Sequence, residues 1–259
     1  MQRLSIYIVM TIACCCISCE KQQDPLPEPD QIVVATMGAS LMETANGWVE
    51  QACGQLGVRC LNKAVGGQRT HDFAKKLWSG TYASPAQQNQ IDIMLIQFAN
   101  SNDVCGDEST LLPTADDYTR NYTRQTKNPF EEYSRAQQMD YILKKWQQIC
   151  EQRHKPMHVI LVTHWHDGRV TYNESVRRLA QRWNAEVCEL DKNIGFTKDK
   201  PLPDGRQPSV LYAKDTEMID GVEFGFHPLR GEDGNYIQSV MAGILEDKLQ
   251  EYIQKHSIQ

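Results

Sequence analysis

Ser40 stands two residues beyond the apolar run of "IVVATMGAS" (32–40), where a buried strand would end. His227 stands in "FHPLRG", just ahead of the last helical pattern of the chain. Between them, "NKAVGGQRT" (62–70) supplies a glycine pair and "IQFANSND" (96–103) two asparagines, each directly after another apolar run. A serine hydroxyl is a weak nucleophile until an imidazole takes its proton. The tetrahedral oxyanion then formed needs preorganised donors, which glycine N–H groups and an asparagine amide can provide. A serine, a glycine, an asparagine and a late histidine, all at strand ends, make an acyl-transfer site. Taken alone, "SLME" is also a capping box, in which Ser40 and Glu43 satisfy each other's backbone N–H groups. That role is compatible with catalysis, because a helix N-terminus favours developing negative charge.

Positioning these residues requires strands that end on one rim. Apolar, β-branched runs predict strands at 32–37, 58–62, 91–99, 157–163 and 185–190, and three- and four-residue apolar steps predict helices at 41–56, 131–153, 171–184 and 232–255. Buried strands alternating with helices predict a three-layer α/β/α domain with a flavodoxin-like parallel sheet, spanning 31–259. Ligands of such sheets bind beyond the carboxyl ends of the strands. The loops at 38–40, 63–70, 99–106, 164–170 and 220–230 should therefore converge. The long polar segment 104–130 reads as an insertion near that rim.

The four stretches, in this order, resemble the blocks of the SGNH (GDSL-type) hydrolase superfamily: Gly-Asp-Ser, an "N-x-x-V/I-x-G" loop, "G-x-N-D" and "D-x-x-H-P". "NKAVGG" and "IQFANSND" look most like its carbohydrate-acetylesterase branch. The resemblance implies Ser40 as nucleophile, Gly67 and Asn102 in the oxyanion hole, and His227 as general base, with no cofactor and no metal. Asn100 rivals Asn102, because "ANSND" is one residue longer than the motif. Ala39 replaces the first-block aspartate. Phe224 stands where the acid that orients the histidine is expected, and the nearest acids are Glu223 and Asp220. A Ser-His dyad is the alternative to either. The implied activity is ester hydrolysis, of O-acetyl groups on a polysaccharide or oligosaccharide. A lipid esterase or thioesterase of the same fold, and an inactive carbohydrate-binding lipoprotein, are the competing readings.

Arg3 followed by an apolar run to residue 19, then the proline-rich "EKQQDPLPEPD", reads as an export signal and a tether over 20–30. Cys19, at the polar boundary, resembles a lipoprotein anchor cysteine, with Cys14 as the alternative. The membrane contact so implied is a lipid anchor in a bacterial cell envelope. A net charge of −6 without a basic run excludes a nucleic-acid partner. Oligomeric state is not legible. Of the five cysteines beyond the leader, Cys53 and Cys60 could meet across the turn after the first helix. "THWHDG" (163–168) offers His164 and His166 in an H-x-H pattern, which reads as a polar loop in preference to a zinc site because no further ligands are spaced to join it. Trp165 reads as a rim aromatic able to stack on a sugar. Arg69 and His71 read either as pocket-lining groups or as solvent residues at a helix start.

Overall fold

The computed structural model describes residues 31–123 and 128–258. The export segment, the tether, Cys14 and Cys19 lie outside these residues. Five parallel strands, β1 (Val33–Gly38), β2 (Arg59–Leu61), β3 (Ile93–Gln97), β4 (Val159–Val162) and β5 (Glu186–Cys188), form one sheet in the order β2-β1-β3-β4-β5. This is the flavodoxin-like order. Every residue of β1, β3 and β4 is buried, as an apolar parallel strand covered on both faces must be.

The helices are α1 (Trp48–Leu56), α2 (Thr70–Ser79), α3 (Pro85–Gln90), α4 (Arg135–Gln152), α5 (Val170–Trp183), α6 (Leu190–Asn193) and α7 (Asn235–His256). The chain reverses direction across the sheet after β2, so right-handed crossovers put α1 on one face and α2, α4 and α5 on the other. The packing agrees: α1 lies against α7, and α2 against α4. The expected stripe of α4 is buried from Ala136 to Ile149, and Ser134 caps this helix reciprocally with Gln137. Among the described residues, no helix is long and apolar enough to cross a membrane.

The start of the first helix and the Ser40 capping box are corrected, and two segments carry structure beyond what was expected of them. The first helix begins at Trp48 rather than 41, because Thr44–Gly47 closes a turn (Gly47 N–H to Thr44 O, 2.8 Å) in which Asn46 takes φ 54°. Ser40 therefore sits in a turn, and the Ser40–Glu43 capping box does not form. The 104–130 segment carries short 3₁₀ turns, and its Tyr118 and Phe130 are fully buried against Tyr141 of α4. The expected rim loop at 220–230 begins inside an antiparallel hairpin that is separate from the main sheet: β6 (Thr216–Ile219) and β7 (Val222–Gly225). Its turn, Asp220-Gly221, has φ 49° and 80°, the left-handed pair that a two-residue type I′ turn needs.

Candidate active site

β1 delivers Ser40 at the sheet's topological switch point, since β2 lies on one side of β1 and β3 on the other. The strand end is fixed by close packing. A Cβ on Gly38 would lie 2.5 Å from Met42 Sδ and 3.0 Å from the Gln97 carbonyl, so a side chain there would have to displace Met42 and crowd β3. Arg230 Nη2 donates to the Ser40 carbonyl at 2.6 Å, tying the turn to the segment after His227.

Ser40 Oγ lies 2.8 Å from His227 Nε2. On the other side of the ring, His227 Nδ1 is 2.8 and 2.9 Å from the two carboxylate oxygens of Asp215. The His227 backbone N–H also donates to Asp215 Oδ1, at 2.9 Å. The carboxylate that faces the His227 ring is thus neither Glu223 nor Asp220. Glu223 accepts from the Thr216 hydroxyl and Asp220 occupies the hairpin turn. Asp215 comes from the base of the hairpin. Its carbonyl accepts from Phe226 N–H, and Lys214 N–H donates to the His227 carbonyl, continuing the ladder beyond β6 and β7. Partial burial would raise the Asp215 carboxyl, but hydrogen bonds from the His227 ring and backbone outweigh it and hold the group below its ordinary value. A carboxylate at Nδ1 keeps the ring proton there and leaves Nε2 free to accept from Ser40.

Gly67 is the third residue of a Val65–Gln68 turn, with φ 74°, where a type II turn requires glycine. The turn's own bond runs from Gln68 N–H to Val65 O, so it does not use the Gly67 N–H. The loop is fixed from below by the buried Thr36 hydroxyl, which accepts from Lys63 and Ala64 N–H and donates to Asn62. Asn102 and Asn100 are both exposed. Asn102 is held between buried Ser101, which meets Thr70 Oγ1, and Asp103, which accepts from Cys105 and Gly106 N–H. Asn102, unlike Asn100, lines a cavity of about 430 Å³ that Arg169, Thr171, Glu217 and Asp220 also border. Arg69 and His71 line a different depression, against α4.

A family model described as a domain of unknown function (DUF5040) matches residues 31–253. The chain belongs to this family. Solved structures similar to the DUF5040 chain include the psychrotrophic esterase EstA from a Pseudoalteromonas species, at 11% identity over 86% of this chain and 98% of that one, TM-score 0.45. Another is a member of the lipolytic protein G-D-S-L family from Veillonella parvula, at 13% identity over 85% and 98%, TM-score 0.42. A third is the lipase Lip_vut3 from a goat rumen metagenome, at 14% identity over 84% and 97%, TM-score 0.46. No curated protein matches.

The H-x-H segment of this DUF5040 chain is not a polar loop. His164, Trp165 and His166 are fully buried, which removes Trp165 as an exposed sugar platform; its Nε1–H donates to the Phe226 carbonyl instead. His164, His166 and Glu217 each bring one donor atom within 4.8 Å of the others, a set that could in principle ligate a cation. The surrounding polarity is wrong for one. Backbone N–H groups of His166 and Gly168 point at His164 Nδ1 and His166 Nδ1, at 3.3 and 3.2 Å. An imidazole ligating through Nε2 would carry its proton on Nδ1, facing those donors, and one ligating through Nδ1 would present to the cation an atom already approached by an N–H. Glu217 is moreover engaged through both oxygens by the Arg169 guanidinium. Burial pushes His164 well below the ordinary imidazole value, with His166, Arg169 and His227 adding to it, and burial lowers His166 likewise.

Cys53 and Cys60 do come together, as free thiols; the neighbouring Cys53 and burial push the Cys60 thiol up.

Proposed function

We propose that this chain is a serine ester hydrolase of the SGNH type. The observation that carries the reading is the hydrogen-bonded relay from Ser40 Oγ through His227 to Asp215. In the first half-reaction, His227 Nε2 takes the Ser40 proton as Oγ attacks the ester carbonyl carbon. Collapse of the tetrahedral intermediate expels the alcohol, which leaves with the proton from Nε2. Water, deprotonated by the same nitrogen, then attacks the acyl-enzyme and frees Ser40. Asp215 holds the ring and stabilises the imidazolium. The Gly67 N–H and the Asn102 amide are the oxyanion donors in this reading; losing one typically raises the barrier by about 3 kcal/mol.

The substrate class we assign is an O-acetylated polysaccharide or oligosaccharide. What supports this is the cavity beside Asn102, where Arg169, Thr171, Glu217 and Asp220, interleaved with Val170, Met218 and Ile219, offer polar partners to a hydroxylated alcohol. The export segment and the anchor at Cys19 would place this activity in the cell envelope.

Hydrolysis of a small activated acetate ester by the native chain, beside Ser40→Ala, tests the reading. Turnover by the native chain and its loss in the variant support a Ser40 nucleophile. Equal rates in both would assign any hydrolysis to another group and discard the mechanism.

A further inference from the structure

Residue 224 is where the related motif carries its acid, and here it is a phenylalanine buried in the protein. What the ring does there accounts for the buried "HWHDGR" segment (164–169). Cross-strand register pairs Glu217 with Phe224 and, one step beyond the ladder, Asp215 with Phe226. Alternation along each strand puts these four on one face of the hairpin. That face meets His164, Trp165, His166, Gly168 and Arg169, while Asp167 turns away to accept from Thr197 and Lys198. The His164 ring lies parallel to Phe226 at 6.4 Å, and Trp165 donates to the Phe226 carbonyl at 2.9 Å. His166 stacks on Phe224, with ring centroids 5.0 Å apart, and its Nε2 lies 3.4 Å from Glu217 Oε1. Gly168 touches the Phe224 ring edge so closely that a Cβ would lie 2.5 Å from it. Arg169 grips Glu217 through both oxygens and lies over Phe226.

A two-stranded hairpin is marginal by itself and takes its position from what it packs on. His227, which takes the Ser40 proton in the reading above, and Asp215, which orients its ring, both sit at the open end of this one. We propose that the 164–169 segment is the dock that sets the position of His227 relative to Ser40, with Gly168 and His166 as positioning residues that seat Phe224 and with the Arg169–Glu217 pair locking the register. The inference rests on the Ser40–His227 reading above for its kinetic consequence, not for its geometry. Phe224 in this arrangement is a packing anchor, and the acid has moved to the hairpin base that the anchor holds.

The decisive variant is Gly168→Ala. Gly168 has no left-handed φ, so alanine is permitted by the backbone and acts only by pushing Phe224. The full chain, with isotope-labelled histidine, is compared as native, Gly168→Ala, Phe224→Leu, Gly168→Ala/Phe224→Leu and Glu217→Gln. The dock predicts that Gly168→Ala lowers kcat about 10- to 100-fold with KM nearly unchanged, as displacements near 1 Å do. It also predicts that the His227 Nδ1–H resonance shifts or broadens, and that the double variant returns within about threefold of Phe224→Leu alone, the coupling expected of contacting residues. Glu217→Gln, which keeps size and shape, should move the same resonance and lower kcat in the same sense, and it serves if Gly168→Ala does not fold. Folded variants whose His227 resonance and kcat both match the native chain would overturn the proposal. If the native chain shows no Ser40-dependent turnover, the esterase reading fails, and the His227 resonance alone decides the dock.

Discussion

Asp215 and His227 are twelve positions apart in the chain and 2.8 Å apart in space, because hairpin β6–β7 runs out and back between them. The relay to Ser40 is therefore assembled by β-sheet register and not by a short local motif.

Asp215→Asn should reduce kcat by about 10²–10⁴-fold with little change in KM, since the amide offers the wrong partner to Nδ1–H and leaves the ring in the wrong tautomer. Glu223→Gln should stay within about threefold of native, as Glu223 bonds to the Thr216 hydroxyl and not to the ring. Steady-state kinetics on one acetate ester separates the two outcomes, and equal losses in both variants would reject Asp215 as the acid.

Thr36→Val should cost about 2–3 kcal/mol of stability. It removes the shared acceptor of the Lys63 and Ala64 N–H groups, which now donate to the Thr36 hydroxyl at 2.8 and 3.0 Å, and leaves Ala64 the longer bond to Asn62 Oδ1 at 3.2 Å. Because those residues lead into Gly67, the variant should also lower kcat. Urea unfolding measures the first effect; a midpoint matching native would show that the loop finds other partners.

Gly38→Ala should destabilise by about 1–3 kcal/mol through overpacking against Met42 and the Gln97 backbone. Met42→Ala in the same chain should recover part of the loss, because the nearest clash is with Met42 Sδ. Additive losses in the double variant would count against that contact.

Acid should weaken the fold through the two buried histidines. Both are held below the ordinary value of 6.5, so between that value and their folded values the unfolded chain binds more protons than the native one. Their contribution to stability is full above 6.5 and declines as pH falls, at up to about 1.4 kcal/mol per pH unit for each. Urea midpoints at pH 7, 6 and 5 should fall in sequence, and His164→Gln should flatten the trend. A native midpoint constant from 7 to 5 contradicts the burial of neutral imidazoles.

The strands of the main sheet were legible because burial on both faces leaves continuous apolar runs such as "IDIMLIQFA". Ser40 and His227 were legible because the four stretches that hold them and the Gly67 and Asn102 loops fall in the order of the motif blocks they resemble. Asp215 was not. Its place depends on which residues of 213–228 pair with which, and Asp220-Gly221, the signal that could have revealed the hairpin, was weighed as a source of carboxylates instead. The buried histidines and Trp165 were missed for a related reason: the hairpin that covers them comes about fifty residues later in the chain. The start of α1 was misplaced because "LMETANGWVEQA" keeps an apolar rhythm across a turn that Asn46 and Gly47 make.

The tip of hairpin β6–β7 is its two-residue turn, while the working residues lie at and just above its base. Cross-strand pairs can be added or removed at that tip without disturbing the base, so the length of chain between acid and base is free to change in steps of two. Relatives of this chain should accordingly differ in that spacing while keeping the same relay, and a comparison that demands a fixed interval before the histidine would mistake them for proteins without an acid.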